Sequence, residues 1–189
     1  MSGTAPHFFR PLDRHLTEKR KKVDNPGLGV NNEEGQVLLL RHAGAGERLA
    51  SPSSDRLRRL DQAGRDDARR LVWTLADREF DRIVSSPLPR SLETVIPIAE
   101  RRRLVIEQRD ELLPEAPVEA TLELLAELSH STLVCTHREV IDQLFWGGVT
   151  CEKAGAWVLE RTGSLWSPTA YVPPPANVLQ RLGRTASVS

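Results

Sequence analysis

The chain has no net charge, very little cysteine and no long apolar run, and each absence removes a class of function. Lysine plus arginine equals aspartate plus glutamate at 26 each in 189 residues, so no global field draws the protein to nucleic acid or a membrane surface, and neither is an expected partner. Any anion recognition must be local. Two cysteines, Cys135 and Cys151, make no disulfide framework in a chain this long, and Cys135 lies in an apolar, strand-like run where a reduced buried thiol is the default. No stretch reaches the roughly 20 apolar residues of a membrane span, and the N-terminal residues lack a signal peptide's apolar centre, so a soluble cytoplasmic protein is expected. Several catalytic signatures are also missing. Ile141 and Trp157 stand where a Cys-x5-Arg loop would place arginine after Cys135 and Cys151. There is no Gly-x-Ser-x-Gly elbow and no P-loop, and His7, His15 and His130 lack metal-ligand spacing. Gly44-Ala45-Gly46 begins like a dinucleotide fingerprint, but Leu49 stands where a third glycine is wanted.

What is present is organised around Gln36-Val37-Leu38-Leu39-Leu40-Arg41-His42. An unbroken apolar run that ends abruptly in charge reads as a strand buried on both faces, delivering Arg41 and His42 to a sheet edge. Before it, residues 1–35 mix prolines and glycines with a basic run, Lys19 to Lys22, that nearby acidic residues nearly offset, and they read as a flexible arm. After it, Glu47 to Asp55 read as a polar loop. Asp61 then caps a helix over about 62–77, with Ala63, Ala68, Leu71, Val72 and Leu75 on one face. Residues 81–86 form a second strand, and Pro87 and Pro89 open a helix through about Arg101. A third short strand near 104–106, an irregular acidic stretch at 110–115 and a helix over 118–128 follow. Thr132-Leu133-Val134-Cys135 is a fourth strand leading to Thr136, His137 and a helix through about Phe145, ended by Gly147-Gly148. Residues 156–160 and 164–166 read as a hairpin, and Pro173 begins a flexible tail over 173–189. Alternating strands and helices predict one α/β domain over 36–172, a three-layer α/β/α sandwich with a mostly parallel sheet and a C-terminal antiparallel hairpin.

Parallel strands bring their carboxyl ends to one edge, where ligands bind. That edge collects Arg41-His42, Ser85-Ser86 with Arg90, and Thr136-His137. Two guanidiniums and two imidazoles suit a phosphoryl group, because arginine donates forked hydrogen bonds to its oxygens and a protonated histidine adds another donor. An unshielded imidazole also attacks phosphorus, splitting hydrolysis into transfer to nitrogen and then to water, with no metal or other cofactor required.

Leu39-Leu40-Arg41-His42-Ala43, Leu60-Asp61-Gln62-Ala63-Gly64-Arg65, Ser85-Ser86-Pro87-Leu88-Pro89-Arg90-Ser91-Leu92-Glu93-Thr94 and Val134-Cys135-Thr136-His137 resemble, in order, the signatures of the histidine phosphatase superfamily, the phosphoglycerate-mutase-like proteins. The resemblance covers about residues 36–170. It implies that His42 is the phosphorylated nucleophile, that Arg41 and Arg90 bind the phosphate, and that His137 completes the pocket. The short chain, Leu113-Pro114-Glu115 and the closing hairpin resemble compact SixA-like phosphohistidine phosphatases; the stretches 41–46 and 157–159 are also similar to the phosphatase-like domain of mycobacterial MutT-type proteins. The resemblance makes Glu115 the candidate leaving-group acid, with Glu111 or no acid as the alternatives. Arg138 stands where the family commonly has glycine, narrowing the pocket or adding a phosphate donor. Arg48 is a further candidate for substrate binding, whereas Arg56, Arg58 and Arg59 read as a solvated cluster.

The function expected is a metal-independent phosphatase working through phosphohistidine on His42, acting on a phosphohistidine protein or a phosphorylated small molecule. Alternatives are a nucleotide or metabolite phosphatase of the same fold and, from another class, a module that binds a phosphoryl ligand without turnover. Hydrolysis is expected rather than mutase action, because the loops are short for a water-excluding lid. With His42 attacking as a free base and His137 donating as a cation, activity would be bell-shaped in pH.

Overall fold

The computed structural model describes residues 36–128, 131–163 and 165–176. The N-terminal arm with its basic run, the tail beyond residue 176 and His130 lie outside these residues.

The first apolar run forms β1, Gln36–Arg41, and its period-two alternation divides its side chains between two cores. Leu38 and Leu40 join a cluster with Ala68 and Leu71 of α2, Gln62–Thr74, and Val95 and Ile98 of α3, Pro89–Arg102. Val37 and Leu39 join the opposite cluster with Leu124 and Leu125 of α4, Val118–Glu127, and Val140 and Ile141 of α5, Arg138–Leu144. Helices therefore cover both faces of the sheet, giving the three layers expected. The sheet has six strands in the order β3-β2-β4-β1-β5-β6, with β2 at Arg82–Ser85, β3 at Ile106–Gln108, β4 at Thr132–Thr136, β5 at Ala156–Thr162 and β6 at Leu165–Val172. The pairings β1·β4, β2·β4 and β2·β3 are parallel, and β5 and β6 join antiparallel.

The register decides what meets at the carboxyl edge. Arg41 lies opposite Thr136, and Ser85 opposite Cys135, so three strands end level with one another. The His42 N–H then donates to Thr136 O at 3.0 Å and the Ser86 N–H to Cys135 O at 3.0 Å, carrying the pairing one residue further.

Four elements depart from the sequence reading. The polar loop after β1 contains a short helix, α1 at Pro52–Arg56, opened by proline at its first position. The second helix stops at Thr74, with Leu75 as its cap, rather than near residue 77. The third strand begins at Ile106, not Leu104. Arg103 turns left-handed at φ 58° and the Leu104 N–H returns to Ala99 O at 3.0 Å, closing α3, so these residues are spent on a helix end. The last strand runs to Val172, through Pro168, because an edge strand has no further neighbour that needs the missing proline donor. The acidic stretch is a 3-10 turn at Asp110–Leu112 that buries Leu112.

Candidate active site

The loop after β1 is held by the start of α2. Asp61 caps that helix, its Oδ1 accepting the Gly64 N–H at 2.7 Å, while its Oδ2 accepts the Gly46 N–H at 2.7 Å. Gly44 O accepts the Asp61 N–H at 3.1 Å, and the helix packs so closely that a Cβ on Gly64 would stand 1.9 Å from Gly44 O. The other support is Thr94 of α3, whose hydroxyl accepts the Ala43 N–H at 3.0 Å and donates to Arg90 O at 2.7 Å. One threonine thus ties the residue after His42 to the helix turn that carries Arg90.

His42 is 6% exposed, and its Nδ1 lies 2.8 Å from Ala43 O. That bond places the proton on Nδ1 and the lone pair on Nε2. Burial pushes its pKa down; the bond to Ala43 O opposes this, and Arg90, Arg41 and Arg58 add to the lowering, leaving it at about 4. His137 is fully buried with its ring centroid 5.1 Å from that of His42, and burial together with His42, Arg90, Arg58 and Arg41 holds it well below the usual imidazole range. Both rings are therefore neutral in the ligand-free site. The cationic His137 expected from the sequence does not fit this environment.

Three guanidiniums are fixed around His42 by backbone carbonyls. Arg41 donates from Nη1 to Cys151 O at 2.7 Å, and Arg90 from Nη1 to Asp55 O at 2.9 Å. Arg58 donates from Nε to Asp55 Oδ1 at 2.8 Å and from Nη1 to Ala45 O at 3.0 Å. Arg58 was assigned to a solvated cluster by sequence; its side chain is only 12% exposed and lines the cleft. Its neighbours Arg56 and Arg59 do lie at the surface, paired with Glu115 and Glu93.

These groups line a cleft of about 430 Å³ with Arg48, Arg138, Lys153, Glu139 and Asp142 at its mouth. Six cations face two carboxylates there. Arg48 pairs with Glu139, and Arg138 with Asp142 at 3.0 Å. Burial raises the Glu139 pKa, but its own backbone N–H and Arg48 outweigh that and hold the carboxyl below its usual range. Of the residues singled out in the sequence, Arg41, His42, Arg48, Arg90 and Arg138 line the cleft, and His137 is buried against His42. Glu115 is not brought to it: its side chain is 56% exposed and paired with Arg56. Glu111 is paired with Arg109 at 2.8 Å. Glu139, which the sequence reading missed, is with Asp142 one of the two carboxylates that reach the cleft; its place in the first turn after His137 was the available signal. Among the described residues no group of three His, Cys, Asp or Glu is placed to hold a metal ion, and no helix is long and apolar enough to cross a membrane.

The arrangement equips one imidazole to attack a phosphoryl group whose oxygens three fixed guanidiniums receive. Among curated proteins none matches the sequence. The model of the histidine phosphatase superfamily (branch 1) matches residues 37–113. The fold is similar to that of a candidate phosphohistidine phosphatase SixA from Agrobacterium tumefaciens, at 25% identity over 75% of this chain and 99% of that one, with a TM-score of 0.62. It is similar to a protein histidine phosphatase SixA solved with tungstate, at 23% identity over 74% of this chain and 97% of that one and a TM-score of 0.64. It is also similar to a mycobacterial glucosyl-3-phosphoglycerate phosphatase, at 17% identity over 74% of this chain and 99% of that one and a TM-score of 0.57. Family model and fold agree: residues 37–113 match the histidine phosphatase superfamily, and the described residues share the fold of solved SixA phosphatases.

Proposed function

We propose that this phosphatase works without a metal, through a phosphohistidine on His42, and that its substrate is a phosphoramidate of the phosphohistidine kind. The observation that carries the substrate class is the state of the cleft's carboxylates: Glu139 is paired with Arg48 and held ionised, Asp142 is paired with Arg138, and Glu115 stands outside. Each carboxylate of the cleft is engaged by an arginine, and none stands free to serve a leaving group. An alkoxide leaves poorly without that proton, whereas an imidazole, with a conjugate acid near about 6.5, leaves with little help. The cationic lining, six positive side chains against two negative, also disfavours a divalent metal and favours an anion.

In this reading Nε2 of His42 attacks phosphorus, and the bond from phosphorus to the substrate nitrogen breaks; the substrate ring, protonated on its distal nitrogen, takes the electron pair and leaves as neutral imidazole. Arg41, Arg58 and Arg90 receive the equatorial oxygens. Water then attacks the phosphoryl group, the bond to Nε2 breaks, and inorganic phosphate and a proton are released. The SixA proteins among the similar structures support the phosphohistidine reading. The outer cations Arg48, Arg138 and Lys153 favour a second reading, a substrate with further anionic groups such as a nucleotide or phosphorylated metabolite.

The test compares release of phosphate from a phosphohistidine protein, an aryl phosphate, a nucleoside triphosphate and a sugar phosphate, all in chelator, for wild type and His42→Ala. The expected result is fastest turnover of the phosphohistidine protein and acid-labile phosphate on wild type only. A preference for carbon-linked esters by orders of magnitude overturns the substrate class, and wild type indistinguishable from His42→Ala on every substrate overturns the mechanism.

A further inference from the structure

His137 is fully buried, yet only half of its ring is partnered. Nε2 lies 2.8 Å from Ser86 Oγ and 3.4 Å from Ser91 Oγ, while Nδ1 is buried without a hydrogen-bond partner. Buried polar atoms are nearly always satisfied, so an orphan ring nitrogen beside a nucleophile asks for an occupant. The ring centroid of His42 lies 5.1 Å away, within reach of a group carried on that histidine.

The contact between Ser86 Oγ and His137 Nε2 can run either way; the Ser86 oxygen already accepts a long bond from the Leu88 N–H at 3.4 Å, which leaves its hydroxyl proton free to point at Nε2. A ring that accepts at Nε2 and is uncharged carries its proton on Nδ1. The surroundings keep it uncharged: after burial, the strongest influences on the ring are the titratable His42 and three arginines, Arg90 and Arg58 from the α3 and α1 side and Arg41 from β1.

We infer that Ser86 is a positioning residue that locks His137 as its neutral Nδ1–H tautomer, so that this nitrogen donates a hydrogen bond to a phosphoryl oxygen on His42 without the ring carrying charge. The inference rests on the phosphatase reading of the cleft. It removes the need for a cationic partner in a site that already holds three guanidiniums. It also means that His137 contributes no limb to the pH profile.

The tautomer is read directly by two-bond proton–nitrogen correlation spectra of the full chain carrying 15N-histidine, with His137→Gln to assign the signals. Wild type is expected to show His137 with a protonated Nδ1 and an unprotonated Nε2 between pH 5 and 9, and tungstate is expected to shift the Nδ1 signal. Ser86→Ala is expected to populate the other tautomer and to lower kcat by on the order of tenfold to a hundredfold, as for other groups that fix an imidazole, with Ser86→Thr restoring both. An unchanged His42 signal in Ser86→Ala shows that the site is still folded; if it changes, Ser91→Ala, which removes the weaker contact, is read instead and is expected to give a smaller shift in the same direction. A protonated Nε2 or an imidazolium in wild type at pH 7 overturns the proposal, and so does a serine variant that loses activity with its tautomer unchanged. Because the tautomer is measured without turnover, absence of acid-labile phosphate on His42 would sink the phosphatase mechanism and leave the tautomer result standing.

Discussion

Arg56 and Arg58 stand two positions apart and meet opposite fates. Arg56 points away from the cleft to an exposed pair with Glu115, whereas Arg58 is held against Asp55 and the carbonyl of Ala45. Asp55 does double duty, since its backbone oxygen also accepts from Arg90. Two of the guanidiniums that line the cleft are thus set by one aspartate in α1. Composition cannot separate Arg56, Arg58 and Arg59, because what separates them is the path of a five-residue helix hidden in a polar, serine-rich loop. Arg58→Ala is therefore expected to lower kcat/KM by about 10²- to 10³-fold, the usual loss for a donor aimed at transition-state charge, while Arg56→Ala leaves it roughly unchanged, as for an exposed pair. Steady-state rates on one aryl phosphate check this, and equal losses in the two variants would contradict the placement.

At the scale of elements, the connection between β1 and α2 shows how much was legible. The apolar run of β1, the Asp61 cap and the apolar face of α2 are local patterns, and each appears where the sequence puts it. The same is true of β2, β4 and the prolines that open α3. What the sequence does not display is contact between elements. The start of β3 moved because a left-handed helix end uses Arg103 and Leu104, and β6 ran on because nothing local marks an edge strand that tolerates Pro168. Gly64 is the sharpest case: in the sequence it is one residue of a helix, in the fold it is the point where that helix touches the loop after His42. A methyl group there meets Gly44 O at 1.9 Å, so Gly64→Ala must push the loop away from α2. A loss of about 2–3 kcal/mol is expected from overpacking at a rigid backbone contact, together with a fall in kcat as Gly44 drags on His42. Urea unfolding and the activity of the folded fraction measure the two separately. Full stability in Gly64→Ala would show that the loop gives way without cost, and the account of its rigidity would fail.

Across the whole molecule, the site exists because three parallel strands end in register, which brings residues 41–42, 85–90 and 136–137 together from three parts of the chain. That convergence follows from the alternation of strands and helices, which is why His42, Arg41, Arg90 and His137 were legible without coordinates. Glu115 was not, since its position depends on the course of an irregular loop that the alternation does not constrain, and Glu139 was overlooked for the same reason in reverse. Charge shows the contrast between whole and part most plainly. The 26 cationic and 26 anionic residues cancel over the chain, but six cations face two carboxylates in the cleft. A neutral protein with a positive cleft has no long-range field to lose to salt, only a local one. Screening at a Debye length of about 10 Å in 0.1 M salt reaches the exposed Arg48 and Arg138, at 67% and 68% side-chain exposure, and spares Arg90 at 3%. Raising salt is thus expected to increase KM for an anionic substrate several-fold while kcat stays nearly constant, and Arg48→Ala with Arg138→Ala should flatten that dependence. Parallel salt titrations of KM and kcat in wild type and the double variant decide it: a kcat that falls with salt as steeply as KM rises would mean that the inner guanidiniums are screened as well, and the division of the cleft into a fixed inner set and a wet outer set would not stand.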